Sequence, residues 1–333
     1  MPGRTDKPEL AARPRISVVA PCYNEEECVA EFVRRASDAC RDVAGASFEI
    51  VLVDDGSSDG TWPIISSLAK SSPHVTGVRL RRNHGHQLAA TAGLSVCRGE
   101  RVMLIDADLQ DPPELLAPMM AVMDDGADVI FGQRRSREGE GRFKLFSASL
   151  FYRVLTRLSK VDIPRDTGDF RLMRREVVDI LNAMPERHRF IRGMVGWIGG
   201  RQVAFPYDRK ARFAGRTKYP LLKMISFAAD ALTSFSIAPL RMAIWLGGIT
   251  AVVALLLLVY SIIRWMSGHT LAGWTSLMAA FAAFSAIQMV ILGIMGEYLG
   301  RLVMDVKGRP LFMIDAIETA PDMPVGSEPQ SHG

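Results

Sequence analysis

The chain of 333 residues lacks most of what marks secreted, zinc-binding or nucleic-acid-binding proteins. Its four cysteines, Cys22, Cys28, Cys40 and Cys97, all lie in the first third, and none forms a C-x-x-C pair. That spacing argues against a disulfide framework and a cysteine-rich zinc site, and fits reduced thiols in a cytosolic setting. Charge of one sign is also scarce. Forty Lys and Arg face 36 Asp and Glu, and the net +4 is too mild for a nucleic-acid surface. The opening residues, MPGRTDKPELAARPR, have no apolar core of the signal-peptide kind, so residues 1–15 read as a disordered tail. Two phosphate-binding fingerprints are missing as well: no strand is followed by G-x-G-x-x-G, and there is no G-x-x-x-x-G-K-[ST]. Any bound nucleotide must have its phosphates held by metal and basic side chains.

Short apolar runs alternating with amphipathic stretches are plentiful. Ile16–Ala20, Glu49–Val53, Val75–Leu80, Val102–Asp106 and Asp128–Gln133 read as strands with helices between them. This alternation predicts right-handed βαβ units and a mostly parallel, Rossmann-like α/β sheet. Three of the strands end in polar clusters: Asn24 with Glu25, Asp54 with Asp55, and Asp106 with Asp108. Asn24 is expected to cap the first helix, and Ser57, Ser58 or Asp59 the second. In a parallel sheet the three clusters share one edge, where open α/β sheets bind ligands. Capping alone accounts poorly for all three.

The stretch VMLIDADLQDPPE (102–114) is the sharpest of these signals. An apolar strand delivers Asp106 and Asp108 to the rim, and Pro112 and Pro113 open a helix. Paired hard oxygen donors suit Mg2+ or Mn2+ carrying a diphosphate. Further on, Asp166 and Asp169 flank a glycine, and Phe170–Met173 reads as a short strand. The segment ERHRFIRGMVGWI sets Arg187, Arg189 and Arg192 among apolar residues, for anion contacts or for a membrane-facing surface. The loop RKARFAGRTKY carries Arg212 and Lys218, either to close over a diphosphate or as the positive flank of a membrane span.

Most of the apolar excess lies after residue 240. Residues 242–263 and 270–296 are each long enough to cross a hydrocarbon core of roughly 30 Å, with too short a link for anything but a hairpin. Arg241 precedes the pair, and Arg301, Lys307 and Arg309 follow it, a bias that places both ends in the cytoplasm. The expected organisation is a tail over 1–15, a catalytic domain over 16–218, helices along the membrane surface over 219–240, a hairpin over 241–302 and a cytoplasmic tail over 303–333. A buried core helix is the alternative for 219–240. Gly293 and Gly296 would admit a neighbouring helix, in keeping with a homo-oligomer.

Taken together, VVAPCYNEEE, VDDGSSDGT, RNHGHQLAATAGL, DADLQDPPE, GDFRLM, ERHRFIRG, RFAGRTKY and GEYLGR resemble family 2 glycosyltransferases of the GT-A fold. The narrower resemblance is to polyprenyl-phosphate glycosyltransferases, the dolichyl-phosphate mannose synthases and bactoprenol glucosyltransferases, over about Ile16 to Met313. Thr217 departs from the more usual serine but keeps a hydroxyl. The resemblance implies that Pro21, Tyr23, Asn24 and Glu25 line a nucleotide pocket. It implies that Asp54 meets the base or ribose with Asp55 in support, and that Asp106 and Asp108 hold the metal with Gln110 close by. Arg212 and Lys218 would neutralise the leaving nucleotide. Asp169 is the candidate base or orienting group at the reacting centre, while Arg171, Arg192 and Arg134 are candidates for the acceptor phosphate.

The implied reaction is inverting transfer of a sugar, with glucose favoured, from a UDP-sugar to a polyprenyl phosphate in the cell inner membrane, for cell-envelope glycan modification. Two rivals are a processive polysaccharide synthase and a catalytically idle membrane scaffold. The first needs a Q-x-x-R-W motif and more spans than this chain has. The second fits poorly with intact acids at three strand ends. Nucleic acid is not an expected partner.

Overall fold

The computed structural model describes residues 13–134, 167–187, 189–208, 238–267 and 273–320. Strands β1 (Ile16–Cys22) and β2 (Phe48–Asp54) are buried along their whole length, as apolar runs are in a sheet covered on both faces. Between them, α1 (Val29–Ala44) turns Val29, Phe32, Val33, Ala36 and Cys40 inward at helical spacing. Then follow α2 (Thr61–Ser71), β3 (Val75–Leu80), α3 (His86–Val96) and β4 (Arg101–Leu104). A 3-10 turn at Pro113–Leu115 leads into α4 (Leu116–Asp124), and β5 (Val129–Arg134) comes next. After it come β6 (Thr167–Arg174), α5 (Arg175–Ala183), α6 (Ile191–Ile198) and β7 (Gln202–Tyr207). Two long helices, α7 (Ala238–Met266) and α8 (Trp274–Val306), precede β8 (Ile314–Glu318).

The eight strands form one sheet in the order β7-β5-β6-β4-β1-β2-β3-β8. Pairs β1–β2, β1–β4, β2–β3 and β5–β7 are parallel, and β6 and β8 run antiparallel to their neighbours. The sheet is therefore mixed but mostly parallel, as the alternation predicts. On one face, Val18, Ala20, Ile50 and Leu52 join a core with residues of α1 and α2. On the other, α3 comes so close that a Cβ on Gly93 would collide with Val19 and lie 2.9 Å from Val53. Small residues in LAATAGL permit that approach.

Two local expectations change. Asn24 does not cap α1, which begins at Val29 after Cys28. Asn24 instead adopts φ +56, a left-handed conformation that Asn tolerates, and turns its side chain toward the β2 end. The α2 N-cap position is Gly60, while Asp59 accepts the Thr61 N–H at 3.0 Å.

Strand β8 has no counterpart in the sequence reading, which left its residues in a tail. It pairs with the β3 edge, and Glu318 bonds Lys70 at 2.8 Å and Ser66 at 3.0 Å. The chain divides into two compact units. One holds the sheet and its helices, including the segment from Pro310 on, and the other holds α7 and α8.

Within their unit, α7 and α8 pack on each other. Ala243–Arg264 and Ala283–Val306 have mean hydropathies of 2.5 and 1.4, and both helices are long and apolar enough to cross a membrane. Gly293 and Gly296 face open space. The expected surface helices before α7 and the basic loop with Arg212 and Lys218 lie outside the described residues.

Candidate active site

The rim begins where β1 and β2 end. Asn24 Oδ1 accepts the Ser58 N–H at 2.9 Å, and the Asn24 N–H donates to Ser57 Oγ at 3.0 Å. The Glu25 N–H donates to Thr61 Oγ1 at 2.8 Å, and Glu26 Oε2 accepts the Gly60 N–H at 2.7 Å. These bonds lace the turn after β1 to the turn after β2. Tyr23, just past the end of β1, is 49% exposed, and Pro21 lies within the buried strand.

Asp54 is fully buried, accepts the Ser57 N–H at 3.1 Å, and has a second oxygen without a hydrogen-bond partner, 4.0 Å from Arg79 Nε. Asp55 accepts the His84 and Gly85 N–H groups at 2.7 and 2.8 Å. Burial raises its pKa, and those two bonds pull it back. Asp55 thus fixes the loop that delivers α3. The packing is tight here: a Cβ on Gly56, itself at φ +68, would lie 2.7 Å from the backbone of Arg82 and Asn83.

Strand β4 supplies the next acids. Asp108 is buried, and one of its oxygens accepts the Gln110 N–H at 3.1 Å across Leu109, which takes φ +60. Asp106 Oδ1 is buried with no hydrogen-bond partner, and burial pushes the carboxyl pKa up to about 6. Among the described residues, no group of three or more His, Cys, Asp or Glu is gathered as a metal site. Two hard carboxylates, one with an unsatisfied oxygen, still fit a Mg2+-like ion, which takes one or two protein carboxylates and completes its shell with phosphate and water.

Strand β6 brings the last acid. Its antiparallel register pairs Leu104 with Arg171, so two residues further along Asp169 falls opposite Asp106. Asp169 is 5% exposed and held from several sides. Arg192 Nε donates to it at 2.9 Å, Gln87 Nε2 at 2.8 Å, and His86 Nε2 lies 3.1 Å away. Burial alone would raise its pKa, but Arg192, His86 and Arg171 hold it well below the usual carboxylate range.

His86 Nε2 also lies 3.5 Å from Asp106 Oδ1, so one ring atom spans the two acids. Burial by itself would lower the His86 pKa, but the bond to Asp169 and the charge of Asp106 push it up to about 9. The His86 and Asp106 side chains stay 41% and 31% exposed, so water softens that pair more than it softens the contact to buried Asp169.

The arginines separate by role. Arg171 is buried and donates to the backbone oxygens of Asp169 and Gly168 at 3.3 and 3.2 Å, with burial lowering its pKa to about 10. It braces its own strand and lies 3.9 Å from the Asp169 carboxylate. Arg189 likewise donates to the Leu181 and Met184 carbonyls at the end of α5. Arg192 reaches the centre, and Arg134, with an unpartnered Nε, lies against Gly168. Tyr207 donates to Asp111, tying the end of β7 to the turn after Asp108.

His86, Gln87 and Tyr207 received no role from the sequence. The first two stand in RNHGHQ, directly after a strand, which was the available signal; Tyr207 had none.

Comparison with known proteins gives one family match and three relatives. Residues 17–181 match the model of glycosyl transferase family 2. A Bacillus subtilis protein named uncharacterized glycosyltransferase YkcC is 40% identical over 90% of this chain and 92% of its own. The prophage bactoprenol glucosyl transferase homolog of Escherichia coli K12 is 36% identical over 91% and 99%, and the bactoprenol glucosyl transferase of Shigella phage SfII is 36% identical over 90% and 97%.

Proposed function

The chain belongs to glycosyl transferase family 2 and is a glycosyltransferase with a mostly parallel mixed sheet, and from that premise we propose that it moves glucose from UDP-glucose to a polyprenyl phosphate. The observation that supports this reading is His86 Nε2 lying between Asp106, at 3.5 Å, and Asp169, at 3.1 Å; on this reading the donor acids and the acid facing the acceptor adjoin there. The bactoprenol-named relatives, aligned over nearly their whole length, supply the lipid acceptor and the sugar.

Asp106 and Asp108 would hold Mg2+ or Mn2+ on the donor diphosphate. When bound, such an ion offsets the negative charge that develops on the departing nucleotide. Asn24, Glu25 and Tyr23 shape the base and ribose end of the pocket. Asp54, fully buried, sets the turn beneath it, and Asp55 carries the loop leading to His86. Gln110 steadies Asp108 through its backbone.

The acceptor phosphate is already an anion at neutral pH, so its oxygen can attack the anomeric carbon with no proton removed. The bond from that carbon to the nucleotide breaks as the new one forms, and configuration inverts. Asp169, held as an anion by Arg192, His86 and Gln87, is a poor base. Its part is to orient Arg192 and His86 toward the phosphate, with Arg134 as a second cation. Arg212 and Lys218, outside the described residues, would add positive charge for the leaving nucleotide.

Helices α7 and α8 would anchor the enzyme in the inner membrane as a hairpin, with the catalytic sheet in the cytoplasm. Anchoring raises the effective concentration of an acceptor whose chain stays in the bilayer. Cell-envelope glycan modification and a homo-oligomer complete the proposal.

The test is radiolabelled transfer from UDP-glucose into organic-extractable lipid by the full-length protein. Asp108→Asn should lower the rate by on the order of a thousandfold with Mn2+ present. An unchanged rate removes the metal assignment.

A further inference from the structure

We propose that Gln87 is a positioning residue that clamps the acceptor-side helix α6 to the first turn of α3, fixing the direction from which the phosphate meets the sugar. The inference rests on the acceptor reading above.

Both ends of the Gln87 amide are engaged. Its Nε2 donates to Asp169 Oδ2 at 2.8 Å, and its Oε1 accepts the Ile191 N–H at 2.9 Å. The orientation follows from the partners. Reversed, the amide would set oxygen against carboxylate and NH2 against N–H, two repulsive contacts.

Ile191 is the first residue of α6, and its N–H is one of those a helix start leaves without an internal partner. The residue at the N-cap position, Phe190, makes no side-chain cap bond. Gln87 supplies a cap from 104 residues away.

The next residue in α6 is Arg192, whose guanidinium grips the same Asp169. One amide therefore joins α3, β6 and α6. Just before it, Asp55 holds the His84 and Gly85 N–H groups. The donor turn and the acceptor arginine are thus linked through the first turn of α3, with Gln87 bonding Asp169 and Ile191.

Gln87→Met keeps the length and removes both bonds. With purified full-length protein, UDP-glucose and undecaprenyl phosphate, the KM for the lipid should rise by about tenfold or more. The KM for UDP-glucose should stay within about twofold, whatever fall in melting temperature the two lost bonds cause.

Gln87→Glu keeps an acceptor for Ile191 but sets an anion against Asp169. It should transfer more slowly than Gln87→Met at neutral pH. Its rate relative to the unaltered protein should recover as pH falls, because a protonated Glu can again donate to Asp169. This pH signature stands as the test even if Gln87→Met fails to fold.

An unchanged lipid KM in Gln87→Met overturns the proposal. So does a parallel loss of donor and lipid affinity with a fall in melting temperature, which is what a merely structural residue gives. Absence of transfer by the unaltered protein removes the acceptor reading and this inference together. Transfer by the unaltered protein with no effect at Gln87 removes this inference alone.

Discussion

On the donor rim, polar side chains bond mainly to backbone N–H groups: Asn24 to Ser58, Asp54 to Ser57, Asp55 to His84 and Gly85, Glu26 to Gly60. On the acceptor side, Asp169 is held by the side chains of Arg192, Gln87 and His86. The two regions meet at His86 but are built differently. Backbone-anchored turns are fixed by the chain that carries them, so one lost side chain leaves most of the turn standing. A buried charged cluster behaves as a unit, and removing one member leaves the others desolvated and unpaired.

The largest expected effect comes from breaking that cluster. Asp169→Asn keeps the shape and removes the charge that Arg192 and His86 face. Transfer should fall by on the order of a hundredfold or more, with nucleotide affinity nearly unchanged. Equal losses in nucleotide binding and transfer would show that donor and acceptor sides are one site, and the contrast would fail.

The same contrast explains what the sequence could reveal. Strands β1 to β5 and the three acidic rims were legible because each rests on local pattern: an apolar run, then Asp, Asn or Gly in a turn. The register that sets Asp169 opposite Asp106 depends on β6 entering between β4 and β5, and no short window of sequence encodes that insertion. Gln87 and Asp169 are 82 residues apart, and Gln87 and Ile191 104. Their residue types alone gave no hint of the pairing. Arg171 and Arg192 look alike in sequence; burial separates them, Arg171 bonding its own strand's carbonyls 3.9 Å from the Asp169 carboxylate and Arg192 bonding that carboxylate directly.

A pH series sharpens the contrast with a smaller effect. Asp106 has its pKa raised to about 6 by burial, while Asp169 is held well below its ordinary value. The signs are opposite. Above an unfolded pKa of about 3.9, Asp106 opposes folding, and that cost is relieved as pH falls. Asp169 favours folding over the same range, and its contribution is lost only as pH falls below that value toward its lower folded pKa. Carboxyl-carbon NMR without metal should show Asp106 titrating near 6, and Asp169 still ionised at pH 4. Binding of Mn2+ with UDP should weaken by up to about tenfold per pH unit below the Asp106 midpoint, because the metal needs the carboxylate. Matching titrations of the two acids would erase the distinction.

The smallest effect is expected at the far edge of the sheet, where β8 supplies a control. Glu318 makes its bonds to Lys70 and Ser66 on α2, away from the rim, with the Lys70 side chain 63% exposed. Water competes for such a pair, and exposed ion pairs contribute about 0–1 kcal/mol. The strand itself is kept by its backbone ladder to β3 and by the Arg81 N–H donating to the Met313 carbonyl at 2.9 Å. Glu318→Gln should therefore lower stability by at most about 1 kcal/mol in denaturant melts and leave both the lipid KM and the nucleotide KM unaltered. A change in nucleotide KM would mean that the returning strand acts on the donor rim. The nearest route is Arg79, which stands 3.9 Å from Asp315 and 4.0 Å from Asp54.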